Sequence, residues 1–161
     1  MKEGRTDPAE QAAAIRVLSS DPDPGARARA AAELGGTGTG AAIRALGEAL
    51  RDPSKEVRAS ASAALASTGI PALDVLTGAL SDGEWVVRYR AAEALGSIRG
   101  GRSVAALTSA LGDKKDHVRY MAAKGLGRLG DRQAAGSLRA VLGDENPFVR
   151  RAAQEALAAL G

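Results

Sequence analysis

Cysteine is absent from this chain of 161 residues, histidine occurs once, and aromatic side chains make up only 2% of it. Without cysteine there is neither a disulfide nor a thiolate metal site. The single imidazole, His117, supplies too few nitrogen ligands for an ordinary zinc or iron centre. No apolar run approaches the ~20 residues that carry a helix across a bilayer. The opening stretch MKEGRTDPAEQ is polar and lacks the apolar centre of a signal peptide. No phosphate-cradling glycine loop is present, since the glycines fall where helices end. These absences lead us to expect a soluble, cytoplasmic chain with no cofactor and no metal.

What the chain does have is repetition. Hydrophobic residues account for 45% of it, mostly Ala, Leu and Val. VRYRAAEALG at 87–96 returns as VRYMAAKGLG at 118–127. Asp21, Asp52, Asp82, Asp113 and Asp144 are spaced 31, 30, 31 and 31 residues apart. Six residues after each comes an arginine: Arg27, Arg58, Arg88, Arg119 and Arg150. Seven further on comes a leucine: Leu34, Leu65, Leu95, Leu126 and Leu157. Five rows in register across three columns define an internal repeat.

Each row holds two helical stretches. The first places apolar residues at helical spacing, as in Ile43, Leu46 and Leu50. The second sets Val, Ala and Leu at −1, +3 and +7 from the arginine, as in Val118, Ala122 and Leu126. Asp7-Pro8, Asp23-Pro24 and Asn146-Pro147 put a capping side chain before a proline at a first helical position. Glycines in LGGTG, LGSIRGG and LGRLGD can stop the second helix. No segment alternates with period two, so no strand is expected. The reading is five antiparallel helix pairs: 8–19 with 24–35, 41–51 with 55–67, 71–80 with 84–98, 102–111 with 116–129, and 132–142 with 147–160. One pair cannot hide its apolar face alone, so neighbours must stack. The fold class is therefore all-α, a single domain over 1–161 with repeats at about 8–38, 39–69, 70–100, 101–131 and 132–161.

The Asp and Arg columns read as a structural ladder. An acceptor at the inter-helix turn and a donor one helical turn later, recurring in every unit, suit a bidentate link between adjacent repeats.

The row D-x4-VR-x2-AA-x-ALG resembles HEAT-like repeats of the short type found in phycobilisome-lyase-related proteins, over residues 8 to 160. The resemblance implies a right-handed α–α superhelix, an α-solenoid, whose second helices line the concave surface. Proteins with such repeats include bilin lyase subunits, relatives of DNA-repair glycosylases, metal-dependent hydroxylases and plain scaffolds. The hydroxylase reading needs His-Glu metal motifs, but His117 is followed by Val118 and it is rejected. A glycosylase needs a carboxylate beside aromatics in a basic groove, for which Glu93 near Tyr89 is the one candidate. A lyase-like subunit needs a tetrapyrrole-binding partner chain, with which the groove is compatible but unspecific. Regularity this high also leaves room for a consensus design, although the residue lost in STGIPAL and the bare alanine groove of the second row favour a natural chain.

The letters that vary between rows point to the binding surface. Positions +1, +2, +5 and +9 from the arginine face away from the −1, +3, +7 stripe. In the third row these are Tyr89, Arg90 and Glu93, and in the fourth Tyr120, Met121, Lys124 and Arg128. Trp85 sits one turn before Tyr89. Tyr, Trp, Met and Arg are the residues that binding surfaces favour. Between residues 85 and 139 eleven Lys and Arg face four acids, so the positive charge gathers around this patch. The expectation is a non-catalytic scaffold that binds another protein through repeats three and four. Trp85, Tyr89 and Tyr120 anchor it, and Arg90, Lys124 and Arg128 select an acidic surface. Nucleic acid is the weaker alternative, and a membrane partner is not expected. On the final helix, Ala152, Ala153, Ala156, Ala159 and Leu160 are expected to leave an apolar outer side, hence weak self-association through that end. The N-terminal helix, with Glu3, Glu10 and Gln11, looks better adapted to solvent.

Overall fold

The computed structural model describes residues 7–161, so Glu3 lies outside it; every regular element among the described residues is helical. The first helices are α1 (Pro8–Ser20), α2 (Pro24–Leu34), α3 (Gly40–Ala49), α4 (Lys55–Thr68) and α5 (Leu73–Ala79). They are followed by α6 (Trp85–Leu95), α7 (Gly101–Ala110), α8 (Asp116–Leu129), α9 (Ala135–Ala140) and α10 (Pro147–Leu160). Short 3₁₀ turns lead into α5 at Ile70–Ala72 and flank α9 at Arg132–Ala134 and Val141–Gly143. The ten-helix order expected from the repeat is thus the order observed. No helix of the described residues is long and apolar enough to cross a membrane.

The helix starts follow from local chemistry. Asp7 accepts the Ala9 amide ahead of α1, Asp23 those of Gly25 and Ala26 ahead of α2, and Asn146 that of Phe148 ahead of α10. Each acceptor precedes a proline, whose missing N–H would have no partner in a first turn anyway. At the far end of α8, Gly130 takes a left-handed conformation (φ 70°), which ends the helix at no side-chain cost.

Two compact units divide the chain, Met1–Val75 and Leu76–Gly161, with the boundary inside α5. In the first, α1 packs on α2 and α3 on α4, while α2 lies beside α4 and α1 beside α3. In the second, α6 and α8 pack on α7 and α10 packs on α9, and α6, α8 and α10 stand side by side. The repeated letters supply the core. Leu34, Leu65, Leu95 and Leu126 are buried, as are the valines Val57, Val87, Val118 and Val149. The small residues at +3, Ala30, Ala61, Ala91, Ala122 and Ala153, are buried in all five rows. Each buried leucine contributes roughly 1.5–3 kcal/mol before its ordering entropy is subtracted.

Small residues also set how closely helices approach. A Cβ on Gly96 would lie 2.7 Å from the Gly125 Cα, and one on Gly127 would lie 2.8 Å from the Ala156 Cα. The glycines therefore let α8 approach the end of α6 on one side and α10 on the other.

The Asp and Arg columns form a continuous bonding pattern inside each unit. Every column arginine donates back to the carbonyl of the aspartate six residues earlier: Arg27 to Asp21, Arg58 to Asp52, Arg88 to Asp82, Arg119 to Asp113 and Arg150 to Asp144. Arg27, Arg88 and Arg119 also reach forward, each through the edge that carries Nε and Nη2. Arg27 grips the Asp52 carboxylate at 2.8 and 2.9 Å. Arg88 grips Asp113, and Arg119 grips Asp144, each at 2.7 and 2.9 Å. Each column carboxylate also accepts the amide two residues on, at Asp23, Ser54, Glu84, Lys115 and Asn146. The Asp–Arg pair thus fixes the turn in every row, and inside each unit the forward links of Arg27, Arg88 and Arg119 join one turn to the next.

Candidate protein-binding face

The second unit brings the aromatics of the chain to the first two turns of α6, α8 and α10. Trp85 opens α6 and is 36% exposed. Its ring meets that of His117, in the first turn of α8, at a centroid distance of 5.0 Å and a tilt of 53°. Lys115 Nζ stands 5.2 Å from the Trp85 centroid. One turn along α6, Tyr89 is half-buried with the Arg90 guanidinium 5.5 Å from its ring. Arg90 in turn pairs with Glu93 at 2.7 Å. On α8, Tyr120 is half-buried and carries Lys124 Nζ at 5.5 Å. Burial and then the Glu93 charge push the Tyr89 phenol above its ordinary range, so it remains a neutral hydroxyl near pH 7.

Beyond Tyr120 the surface sinks into a cleft of about 220 Å³ lined by Asp116, His117, Tyr120, Asn146 and Phe148. Asp116, whose side chain is 30% exposed, is held by its neighbours in the cleft. It accepts from His117 Nδ1 at 2.7 Å, from the His117 amide at 2.8 Å, and from Asn146 Nδ2. The His117 hydrogen bond is the chief reason its carboxyl is lowered to about 2. Phe148, in the first turn of α10, is 69% exposed. Arg151 lies one turn further on, paired with Glu155 at 2.8 Å.

Among the expected site residues, Trp85, Tyr89, Arg90, Glu93, Tyr120 and Lys124 share this region. Arg128 lies nearer the other end of α8, where it donates to the Ser97 hydroxyl at 3.2 Å. Met121 needs correction. It is only 7% exposed, because α8 has neighbours on both flanks and is covered through more of its circumference than a lone helix wheel suggests. The corresponding Ala152 on α10 is buried as well. His117 and Phe148 were missed. Both stand two residues before a column arginine, so a fifth variable column, at −2, would have revealed them. Among the described residues no three His, Cys, Asp or Glu side chains come together in a way that could hold a metal ion.

The outer side of α10 also departs from expectation. Of the five residues expected to make it apolar, Ala152, Ala153, Ala156 and Leu160 are buried and Ala159 is exposed. The helix turns its alanine stripe inward against α8 and α9 and presents Arg151, Gln154 and Glu155 to solvent.

Helix pairs repeated in sequence, packed through a common apolar stripe and joined by a recurring Asp–Arg pair, define an α-solenoid repeat protein. Residues 11–84 and 73–158 match the family of HEAT repeats, and the chain belongs to that family. Its short repeat is of the phycobilisome-lyase type. The complex of CpcE and CpcF of phycocyanin lyase from Nostoc sp. is similar in structure, with 25% identity over 93% of this chain and 99% of that one, at a TM-score of 0.69. A designed armadillo repeat protein in complex with a (KR)4 peptide shares the fold at 19% identity, covering 95% of this chain and 82% of that one, with a TM-score of 0.60. Human deoxyhypusine hydroxylase does so at 19% identity over 96% of this chain and 74% of that one, with a TM-score of 0.56. No curated protein sequence matches the chain.

Proposed function

We propose that this protein is a non-catalytic, cytoplasmic scaffold that holds another protein on the open face of α6 and α8. Trp85, Tyr89 and Tyr120 are the anchors, while Arg90, Lys124 and Arg128 favour an acidic surface. The observation that carries this reading is the aromatic strip itself. A helix face turned to water has no folding need for tryptophan and tyrosine, whereas such rings supply contact area at low entropic cost. The concentration of Lys and Arg between residues 85 and 139 adds long-range attraction for negative charge. Two similar structures, the CpcE–CpcF complex and the peptide-bound armadillo design, hold a protein or peptide partner, which supports the same use of this fold.

The test is affinity capture from the source cells with wild type and the Tyr89→Ala, Tyr120→Ala double variant, with and without nuclease. A partner retained by wild type after nuclease and lost by the variant is the expected outcome. Equal retention by both proteins places the binding face elsewhere. Loss of all capture on nuclease treatment makes the ligand a nucleic acid. A second reading, a subunit of a lyase-like complex, rests on the likeness to CpcE and CpcF; its signature is capture of a second HEAT-repeat chain in equal amount.

A further inference from the structure

We infer that the face formed by the first turns of α6, α8 and α10 takes a linear acidic peptide and receives one large apolar side chain in the cleft between His117, Tyr120 and Phe148. This rests on the protein-binding reading above and names the chemistry of the segment bound.

Trp85, Tyr89 and Tyr120 each already hold a cation of the chain itself, from Lys115, Arg90 and Lys124. One face of each ring is thus occupied, and the positive charge held there disfavours a ligand cation. The same arrangement turns the rings into supports that hold positive charge in the approach to the cleft. Carboxylates of a ligand meet Lys115 and Lys124 there at short range.

The one acid in the cleft does not reverse this preference. The Asp116 side chain is 30% exposed, but its oxygens already accept from His117 and Asn146, while Lys115 and Lys124 still offer donors to a ligand carboxylate. Its carboxyl, lowered to about 2 by those hydrogen bonds, keeps the arrangement intact across the physiological range.

Size and wall chemistry then identify what enters. Pockets for small molecules run from about 300 Å³ upward, and this cleft, at about 220 Å³, fits a single side chain better. Two of its walls are the rings of Tyr120 and Phe148, and Phe148 is 69% exposed. A Phe, Leu or Met side chain would cover that ring and bury both surfaces. Nucleic acid fits less well, since the cleft has room for one side chain and Lys115 and Lys124 each already occupy one face of the Trp85 and Tyr120 rings, leaving no run of open rings for successive bases.

The experiment is to pan a random heptapeptide library on the folded protein and then titrate the consensus peptide, reading Trp85 fluorescence, the only tryptophan signal available. Enriched sequences are expected to carry two or more Asp or Glu around one Phe, Leu, Met or Trp. Phe148→Ala, or alanine in place of the peptide's apolar residue, should weaken binding at least ~10-fold, as expected for an anchor contact. The Lys115→Glu, Lys124→Glu pair should do the same. Phe148 is exposed, so its truncation leaves the core intact, and circular dichroism checks this.

Enrichment of basic or uncharged sequences overturns the inference, as does no enrichment, or tighter binding to a single-stranded thymidine oligonucleotide. Unchanged affinity in Phe148→Ala also overturns it. If that variant keeps the cellular partner while the tyrosine pair loses it, the cleft assignment fails and the broader reading of the face stands. If both keep the partner, both fail.

Discussion

At the residue scale, the Asp–Arg column builds the turns and links them inside each unit, and we propose that it takes no part in binding. Asp52, Asp113 and Asp144 hold their carboxyls below the ordinary 3.8. For Asp52 and Asp144 the arginine hydrogen bond is the leading cause. At Asp113 the strongest influence is burial, which raises the value, and it is outweighed by the Arg88 hydrogen bond, the Lys115 amide and the Arg88 charge together. Carboxyls depressed in the folded state stabilise it above their unfolded value and lose that contribution as pH falls through the folded value. The melting temperature should therefore be flat from pH 7 to about 5 and fall below about pH 4. Asp113→Ala should lower stability by about 1–3 kcal/mol in urea melts, since it leaves Arg88 without its carboxylate. Partner affinity of the folded fraction should be unchanged; a fully folded Asp113→Ala protein that has lost binding would mean the carboxylate belongs to the site. The ladder residues were readable because they are identical in every row. His117 and Phe148 were harder to read because they stand at −2, in the first turn of the helix and outside the outward columns at +1, +2, +5 and +9, and Met121 was misread because a helical wheel cannot show how far neighbouring helices wrap around it.

At the element scale, nearly all helices were legible, because apolar spacing, prolines and glycines agree on where each starts and stops. The exceptions are α5 and α9, where the expected 71–80 and 132–142 include 3₁₀ turns. Apolar residues three and four apart satisfy either winding, so the spacing alone does not separate them. What the pattern could not give is the separation between helices, which the glycines set. Alanine in place of glycine at an open helical position gains about 1 kcal/mol in propensity. At Gly127 the new Cβ would meet the Ala156 Cα at 2.8 Å and its Cβ at 2.9 Å, so α8 and α10 must move apart. Gly127→Ala is expected to cost about 1–3 kcal/mol, the usual range for overpacking. Gly136→Ala is the control, since nothing lies within 4 Å of its added Cβ. It should be neutral or stabilising. Equal urea midpoints for the two variants would show that α8 and α10 have slack to yield.

At the scale of the whole molecule, the outer side of α10 decides the state of association. Self-association was expected from an apolar stripe on that helix, but the stripe is turned inward. The exposed positions there are Arg151, Gln154, Glu155 and two alanines, Ala158 and Ala159, with Leu157 half-exposed. Stable protein interfaces bury about 1,200 Å² or more, well beyond what two alanines and part of a leucine provide. The large apolar residues exposed elsewhere among the described residues are Ile70, Trp85, Leu142 and Phe148, single side chains on different elements. Phe148 opens onto the cleft assigned to a peptide. The protein is therefore expected to remain monomeric from low to high micromolar concentration by light scattering. Leu160 is 7% exposed, and its carbonyl accepts from Arg132 Nε at 3.2 Å. Leu160→Glu should thus act on folding, lowering stability by about 1–3 kcal/mol, the ordinary range for a disturbed buried site, with no change in mass. A mass that grows with concentration and returns to that of one chain in Leu160→Glu would restore the terminal interface. If Phe148→Ala abolishes the growth instead, a second copy occupies the cleft and the acidic peptide must be given up.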